Sequence, residues 1–180
     1  MINTRPNIGD SVDQIPTPSL LIDVPAMDHN FSVISQTYAG KVCKMRQHAK
    51  NIKSPVVMQR QIDAGGTLNG VCAAKVAEAE VMVEGGIRDV LVTSEVTSPD
   101  KLRRLASLAK IADLKLCIDN QDNLEQISQI ASDAGCENGV LIEVDTSMGR
   151  AGVRSPAEGV ALARRATDLN GVKFMGVMSH

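Results

Sequence analysis

In the stretch Gly85-Gly86-Ile87-Arg88-Asp89-Val90-Leu91-Val92-Thr93-Ser94-Glu95-Val96-Thr97-Ser98-Pro99-Asp100-Lys101-Leu102-Arg103-Arg104-Leu105-Ala106-Ser107-Leu108-Ala109-Lys110-Ile111-Ala112, one complete unit of architecture can be read. The glycine pair stops a helix, a short apolar run follows, and Ser-Pro opens the next helix. Over Asp100–Ala112 the residues Leu102, Leu105, Leu108, Ala109 and Ala112 recur at three- and four-residue spacing, with Lys101, Arg103, Arg104 and Lys110 on other faces. That is the period of an amphipathic helix. The run Asp89–Thr93 is apolar almost without interruption, as a parallel strand covered on both faces would be. Strand, turn and helix together make one βα unit.

The unit repeats outward in both directions. Strand candidates are Ser19–Asp23, Val42–Arg46, Asn69–Ala73, Asp89–Thr93, Lys115–Asp119, Val140–Val144 and Lys173–Met178. Helical patterns lie between them, around Ala77–Glu84 and Gln121–Ala134, with Gly135 as a stop for the second, and over Ala157–Leu169 behind Ser155-Pro156. A strand followed by a crossover helix, repeated, predicts an α/β fold with a parallel sheet. An open doubly wound sheet and a (β/α)8 TIM-type barrel both fit, although Gly-x-Gly-x-x-Gly after the first strand is absent. In a barrel, Lys50, Ser94-Glu95, Asp119-Asn120, Asp145, Arg150 and Ser179-His180 would converge on one mouth at the strand C-terminal ends. With Ser19–Asp23 outside the barrel, about six βα units are present and the barrel is incomplete, which leaves two raw sheet edges.

Composition bounds the function. The chain has 180 residues, 43% of them hydrophobic and 22% charged, with a formal charge of −2. This is an ordinary globular balance, able to bury a core without staples. No run approaches the roughly 20 apolar residues of a membrane span, and the start lacks the apolar centre of a signal peptide, so a cytoplasmic protein is expected. Near-neutral charge and only three aromatic residues, Phe31, Tyr38 and Phe174, argue against a nucleic-acid partner. Cys43, Cys72, Cys117 and Cys136 have neither zinc spacing nor a close pair and read as small buried hydrophobes in a reducing compartment.

The densest cluster of nitrogen side chains is Arg46-Gln47-His48-Ala49-Lys50-Asn51-Ile52-Lys53, where a strand runs out into a loop. Mutual repulsion among these groups favours the neutral form of any partly desolvated lysine, which is then a usable nucleophile. Spacing alone favours a solvated basic loop.

The cluster resembles the signature Arg-Pro-His-x-Lys-Thr-His-Lys of D-threonine aldolases and the related D-serine dehydratases and 3-hydroxy-D-aspartate aldolases. These are fold type III pyridoxal-phosphate enzymes, grouped with alanine racemase. The likeness continues through Lys53-Ser54-Pro55, Gly70–Glu80, Gly85–Val92, Glu143-Val144-Asp145 and Gly149-Arg150-Ala151-Gly152-Val153, with a similar opening at Thr17–Asp23. The resemblance implies the alanine racemase N-terminal barrel, incomplete here, over residues 19–180 behind an N-terminal extension of residues 1–18, with the family's C-terminal β-domain absent.

It also implies roles. Lys50 would carry pyridoxal 5'-phosphate, Arg150 would meet the pyridine nitrogen as a donor that keeps its proton, and His180 and Arg46 would contact the cofactor. His48 would support the lysine or a substrate carboxylate. The implied reaction is retro-aldol cleavage of a β-hydroxy-D-amino acid, with D-serine dehydratase-like ammonia elimination and a non-catalytic cofactor-binding or pairing module as alternatives. A divalent metal, Mn or Mg, with ligands outside this chain, and a homodimer are implied for the full-length family. A chain of this extent is expected to be weakly active alone. Gln47 and Asn51-Ile52 depart from the signature, and the second change removes an imidazole. Glu78 and Glu80 fall on a helix opposite the expected mouth and read as structural, and His29 reads as a surface residue.

Overall fold

The computed structural model describes residues 5–180. Six strands, β1 (Met45–His48), β2 (Thr67–Ala73), β3 (Asp89–Val92), β4 (Asp113–Ile118), β5 (Asn138–Glu143) and β6 (Val172–Met178), form one sheet in the order β1-β2-β3-β4-β5-β6. Every neighbouring pair is parallel. Between them run α2 (Pro55–Ala64), α3 (Val76–Glu84), α4 (Pro99–Ala109), α5 (Gln121–Ala134) and α6 (Pro156–Asp168), while α1 (Val24–Tyr38) precedes β1. Sequential order with a helix in each crossover is the repeating βα arrangement of a barrel wall.

Local chemistry sets the helix ends. Ser54, Asn120 and Ser155 accept backbone N–H bonds at the starts of α2, α5 and α6, and proline opens α2, α4 and α6. Ser98 occupies the expected position before α4, but its side chain makes no capping bond. Gly135 ends α5 at φ 66°, a left-handed conformation that costs other residues about 1 kcal/mol or more.

The sheet has two unlike faces because side chains alternate along each strand. Val71, Val90, Val92, Leu114, Leu116, Ile118, Val140 and Ile142 point outward and pack with Met58, Met82, Leu102, Leu105, Leu124, Ile127 and Leu162 from the helices. This is the core, and its side chains are nearly all inaccessible to water. The inward face is polar at the strand starts. There the Arg46 guanidinium grips Asp89 at two points, 2.9 and 2.8 Å, and Lys115 bridges Asp89 and Asp113 at 2.8 and 2.6 Å. Burial alone would raise the Asp89 pKa, but the bonds from Arg46 and Lys115 outweigh it and hold the carboxyl below its usual range. Gly70 is required beside this cluster, since a Cβ there would lie 2.4 Å from the Asp89 carbonyl oxygen.

Three expectations need correction. Ser19–Asp23 is not a strand; it is exposed, and Asp23 instead caps α1 by accepting the Ala26 N–H at 3.0 Å. The segment pairs with no strand of the sheet, so its β-prone residues have no ladder to join. The first barrel strand begins at Met45 rather than Val42, because Val42 and Cys43 are exposed and pairing starts only at Met45–Thr67. Cys43 is therefore not a buried hydrophobe, although all four cysteines are free thiols. Among the described residues, no helix is long and apolar enough to cross a membrane.

Candidate active site

The strand C-terminal ends lie on one side of the sheet, as parallel pairing requires. β1 delivers His48 there, and the chain turns through a single 3-10 turn, Ala49–Asn51, anchored by the fully buried Ala49. His48 Nδ1 accepts the Lys50 N–H at 3.3 Å, so the imidazole fixes the backbone of the lysine it precedes. Lys50 is exposed, and its amine has no hydrogen bond or ion pair among the described residues. The lysine is thus available, not desolvated as the sequence expectation required.

The other face of the imidazole is also tied. His48 Nε2 stands 3.1 Å from Thr93 Oγ1, and the Thr93 hydroxyl donates to the Ala73 carbonyl at 3.3 Å. With that hydroxyl proton committed, Thr93 accepts from Nε2–H, and Nδ1 carries the lone pair that Lys50 N–H meets. A neutral imidazole satisfies the whole chain of bonds. Burial lowers the His48 pKa, and the charges of Lys50 and His180 lower it further against Glu78. His180, beyond β6, is therefore within electrostatic reach of His48 on β1, although these strands are the two edges of the sheet. The wall curves.

Glu78 belongs to this side of the molecule. It lies in the first turn of α3, where Oε2 accepts the Ala74 N–H at 2.8 Å and Oε1 faces Lys53 at 3.8 Å. It was expected opposite the mouth, but it lies on the mouth side, near His48. Glu80 pairs with Arg104, and His29 is exposed on α1.

The loop after β5 is built to present Arg150. Asp145 Oδ1 accepts N–H bonds from Ser147 at 3.1 Å and Gly149 at 3.0 Å, which hold its carboxyl below the usual range. The far end is held by Asp119, which accepts the Gly152 N–H at 2.9 Å. A Cβ at Gly152 would come within 2.5 Å of the Asp145 nitrogen, so glycine allows the two strands of the loop to close. Arg150 stays exposed, and the cation nearest Asp145 is Arg154 at 3.6 Å. Thr146 and Ser179 share a 2.7 Å hydroxyl bond that ties this loop to the end of β6 and His180.

Arg46 sits deeper, on the inward face, with its guanidinium engaged by Asp89. Lys50, His48, Arg150 and His180 occupy the mouth, and Arg46 lies beneath them. The available chemistry is a free amine flanked by donors, with an arginine on a fixed loop.

The pattern of the alanine racemase N-terminal domain matches residues 22–180. The chain belongs to the alanine racemase N-terminal domain family. Within it, the chain is 38% identical over 172 residues to a D-threonine aldolase of Arthrobacter sp, covering 96% of this chain and 45% of that protein. It is 36% identical to a 3-hydroxy-D-aspartate aldolase of Paracoccus denitrificans, covering 96% and 44%. A crystal structure of D-threonine aldolase from Filomicrobium marinum superposes with a TM-score of 0.86 at 34% identity, covering 91% of this chain and 43% of that one. The chain therefore spans a little under half the length of these relatives. The six-stranded parallel sheet is a wall of the alanine racemase N-terminal barrel type.

Sequence reasoning did not single out Thr93 or Glu143 of this family wall. Thr93 meets His48 across 45 positions, and Glu143 looks in sequence like one residue of an apolar strand. The usable signal was the alternation in β5, where Glu143 falls on the inward face with Gly139 and Leu141.

Proposed function

We propose that the chain is the cofactor-lysine portion of a pyridoxal-phosphate-dependent lyase that cleaves β-hydroxy-D-amino acids, of the D-threonine or 3-hydroxy-D-aspartate type, between Cα and Cβ. The observation that carries this reading is the free amine of Lys50, fixed through its backbone by a neutral His48 in a chain that is 36–38% identical to two such aldolases.

The donor set suits the cofactor. An unpaired primary amine can take an aldehyde, and the Arg150 guanidinium and His180 imidazole, on the same side of the sheet, are donors that suit an anionic, nitrogen-containing cofactor. When bound, pyridoxal phosphate supplies an electron sink for the bond broken at Cα. Lys50 would hold it through its free amine. Arg150, on its glycine-closed loop, would offer the ring nitrogen a donor that keeps its own proton. His180 would contribute a further contact from the end of β6. His48 keeps Lys50 in place and moves no proton while both its nitrogens are engaged. Arg46, whose guanidinium is engaged by Asp89, would support this layer from below.

The proposed setting is a cytoplasmic homodimer, with residues 19–180 as the cofactor-binding part and 1–18 as an extension. Among the described residues, no group of three His, Cys, Asp or Glu side chains is placed to hold a metal ion. A Mn or Mg ion that would polarise the β-hydroxyl, and weak activity of this chain alone, are part of the same proposal.

The test is product analysis with pyridoxal phosphate and Mn or Mg present. Glycine and aldehyde from D-threonine or 3-hydroxy-D-aspartate, lost in Lys50→Ala, support the aldolase. Pyruvate and ammonia from D-serine, equally dependent on Lys50, would replace it with the dehydratase. Cofactor binding without turnover would leave the non-catalytic module.

A further inference from the structure

We propose that Glu78, in the first turn of α3, and Lys53 form a clamp that fixes the turn carrying Lys50, which makes both of them positioning residues for that lysine. The functional meaning of the clamp rests on Lys50 being the cofactor lysine. The clamp itself belongs to the chain without cofactor.

Behind β1, the N–H groups of Ile52 and Lys53 both return to the Ala49 carbonyl, the second at 2.8 Å. Lys50 therefore sits inside a closed loop whose entry is held by His48 Nδ1. The exit is Lys53, and its φ of 52° lies in the left-handed region. That conformation suits glycine and is unfavourable for a residue with a side chain such as lysine. Among the described residues other than glycine, only Ser147 shares a positive φ, and it lies in the loop that presents Arg150. Backbone strain of this kind persists where the surroundings over-determine it.

At Lys53 the surroundings supply a carboxylate. Lys53 Nζ stands 3.8 Å from Glu78 Oε1, while Glu78 Oε2 accepts the Ala74 N–H at 2.8 Å. Lys75, at the N-cap of α3, makes no side-chain cap, so Glu78 reaches back in its place, as the acidic residue of a capping box does. One oxygen thus belongs to the start of α3, and the other is left for Lys53. The Ala49–Asn51 turn packs against both α3 and β2, so a carboxylate fixed on α3 is well placed to hold it.

A helix cap alone would need neither a charge nor Lys53, and glutamine could serve it. The clamp needs both. With the Lys53 side chain 65% exposed, the pair adds little to global stability. Its effect is local, selecting one conformation for the loop that holds Lys50.

Amide hydrogen exchange at Lys50 and Ile52, read by NMR in the chain without cofactor, tests the clamp. Timed borohydride trapping of pyridoxal phosphate on Lys50 reads its consequence. Glu78→Gln keeps an acceptor for the Ala74 N–H and loses the charge. Lys53→Asn tolerates the left-handed conformation but is neutral and too short to reach Glu78. In each variant exchange should be about two- to fivefold faster, and trapping slower by a similar factor, the scale of an exposed ion pair. Lys53→Arg should behave as the unaltered chain. Removing a cation and removing an anion change the potential at Lys50 in opposite senses, so an effect of charge alone would move the first two variants apart. Opposite shifts, or unchanged exchange in both, overturn the proposal. So does a large fall in the melting temperature of Glu78→Gln, which would make the contact part of the general packing. If Lys50 takes no label in the unaltered chain, the cofactor reading fails, and amide exchange still decides the clamp.

Discussion

His48 Nε2 meets Thr93 Oγ1 at 3.1 Å, joining β1 to β3 across the strand between them. The contact matters because the opposite ring nitrogen holds the Lys50 backbone. Thr93→Val removes the acceptor while keeping the shape, and leaves Nε2–H short of a partner at a cost of about 1–2 kcal/mol. The chain should stay folded but hold Lys50 less firmly. Cofactor capture at Lys50 should therefore slow, while thermal denaturation shifts by a few degrees.

Acidification should act through His48. Its pKa lies below the ordinary 6.5, so the neutral form is favoured by the fold. The resulting stability is complete above about pH 6.5 and is lost as pH falls through the folded-state value. His48→Gln keeps a donor and an acceptor but cannot titrate. Denaturation profiles should show the unaltered chain losing stability relative to this variant below about pH 6.5; parallel profiles would remove the neutral-imidazole assignment.

Glu95 gives the opposite sign. A carboxyl raised from 4.5 to about 7 contributes stability that is complete below about pH 4.5 and is lost as pH rises through about 7. Glu95→Gln should accordingly melt higher than the unaltered chain at about pH 8, with the advantage fading towards about pH 4.5. A variant that melts lower at both values would show that Glu95 has an ionic partner.

The inward cluster at the strand starts should be costly to break. Asp89→Asn leaves Arg46 and Lys115, 15% and 11% exposed, without their shared carboxylate, and about 2–3 kcal/mol of destabilisation is expected at these part-buried positions. Gly70→Ala should disturb the same contact sterically, because its Cβ would also lie 2.5 Å from the Asp89 carboxyl carbon. Chemical denaturation of both variants measures this, and near-unchanged midpoints would make the cluster a surface decoration.

The architecture was legible where local chemistry and the outward face agreed. Gly135 stops α5 so clearly that the helix could be placed around Gln121–Ala134, while Asn120, read as the end of a strand, turns out to be its N-cap, and the apolar run at Val90–Val92 marks a buried strand. Ser19–Asp23 misled because β-propensity says nothing about whether a neighbouring strand exists. At the site, Lys50 and His48 stood out through the density of cations around them. The Arg46–Asp89 grip and the Thr93 contact did not, since each joins residues more than forty positions apart through register that only the folded sheet defines.

The central claim is that Lys50 is the cofactor lysine. Incubation of the chain with pyridoxal phosphate, borohydride reduction and peptide mass analysis tests it directly, with Lys50→Ala as the control. The account predicts a pyridoxyl mass on the peptide carrying Lys50, absent from the variant. A label spread over exposed lysines such as Lys53 and Lys101, unchanged by the substitution, would contradict it.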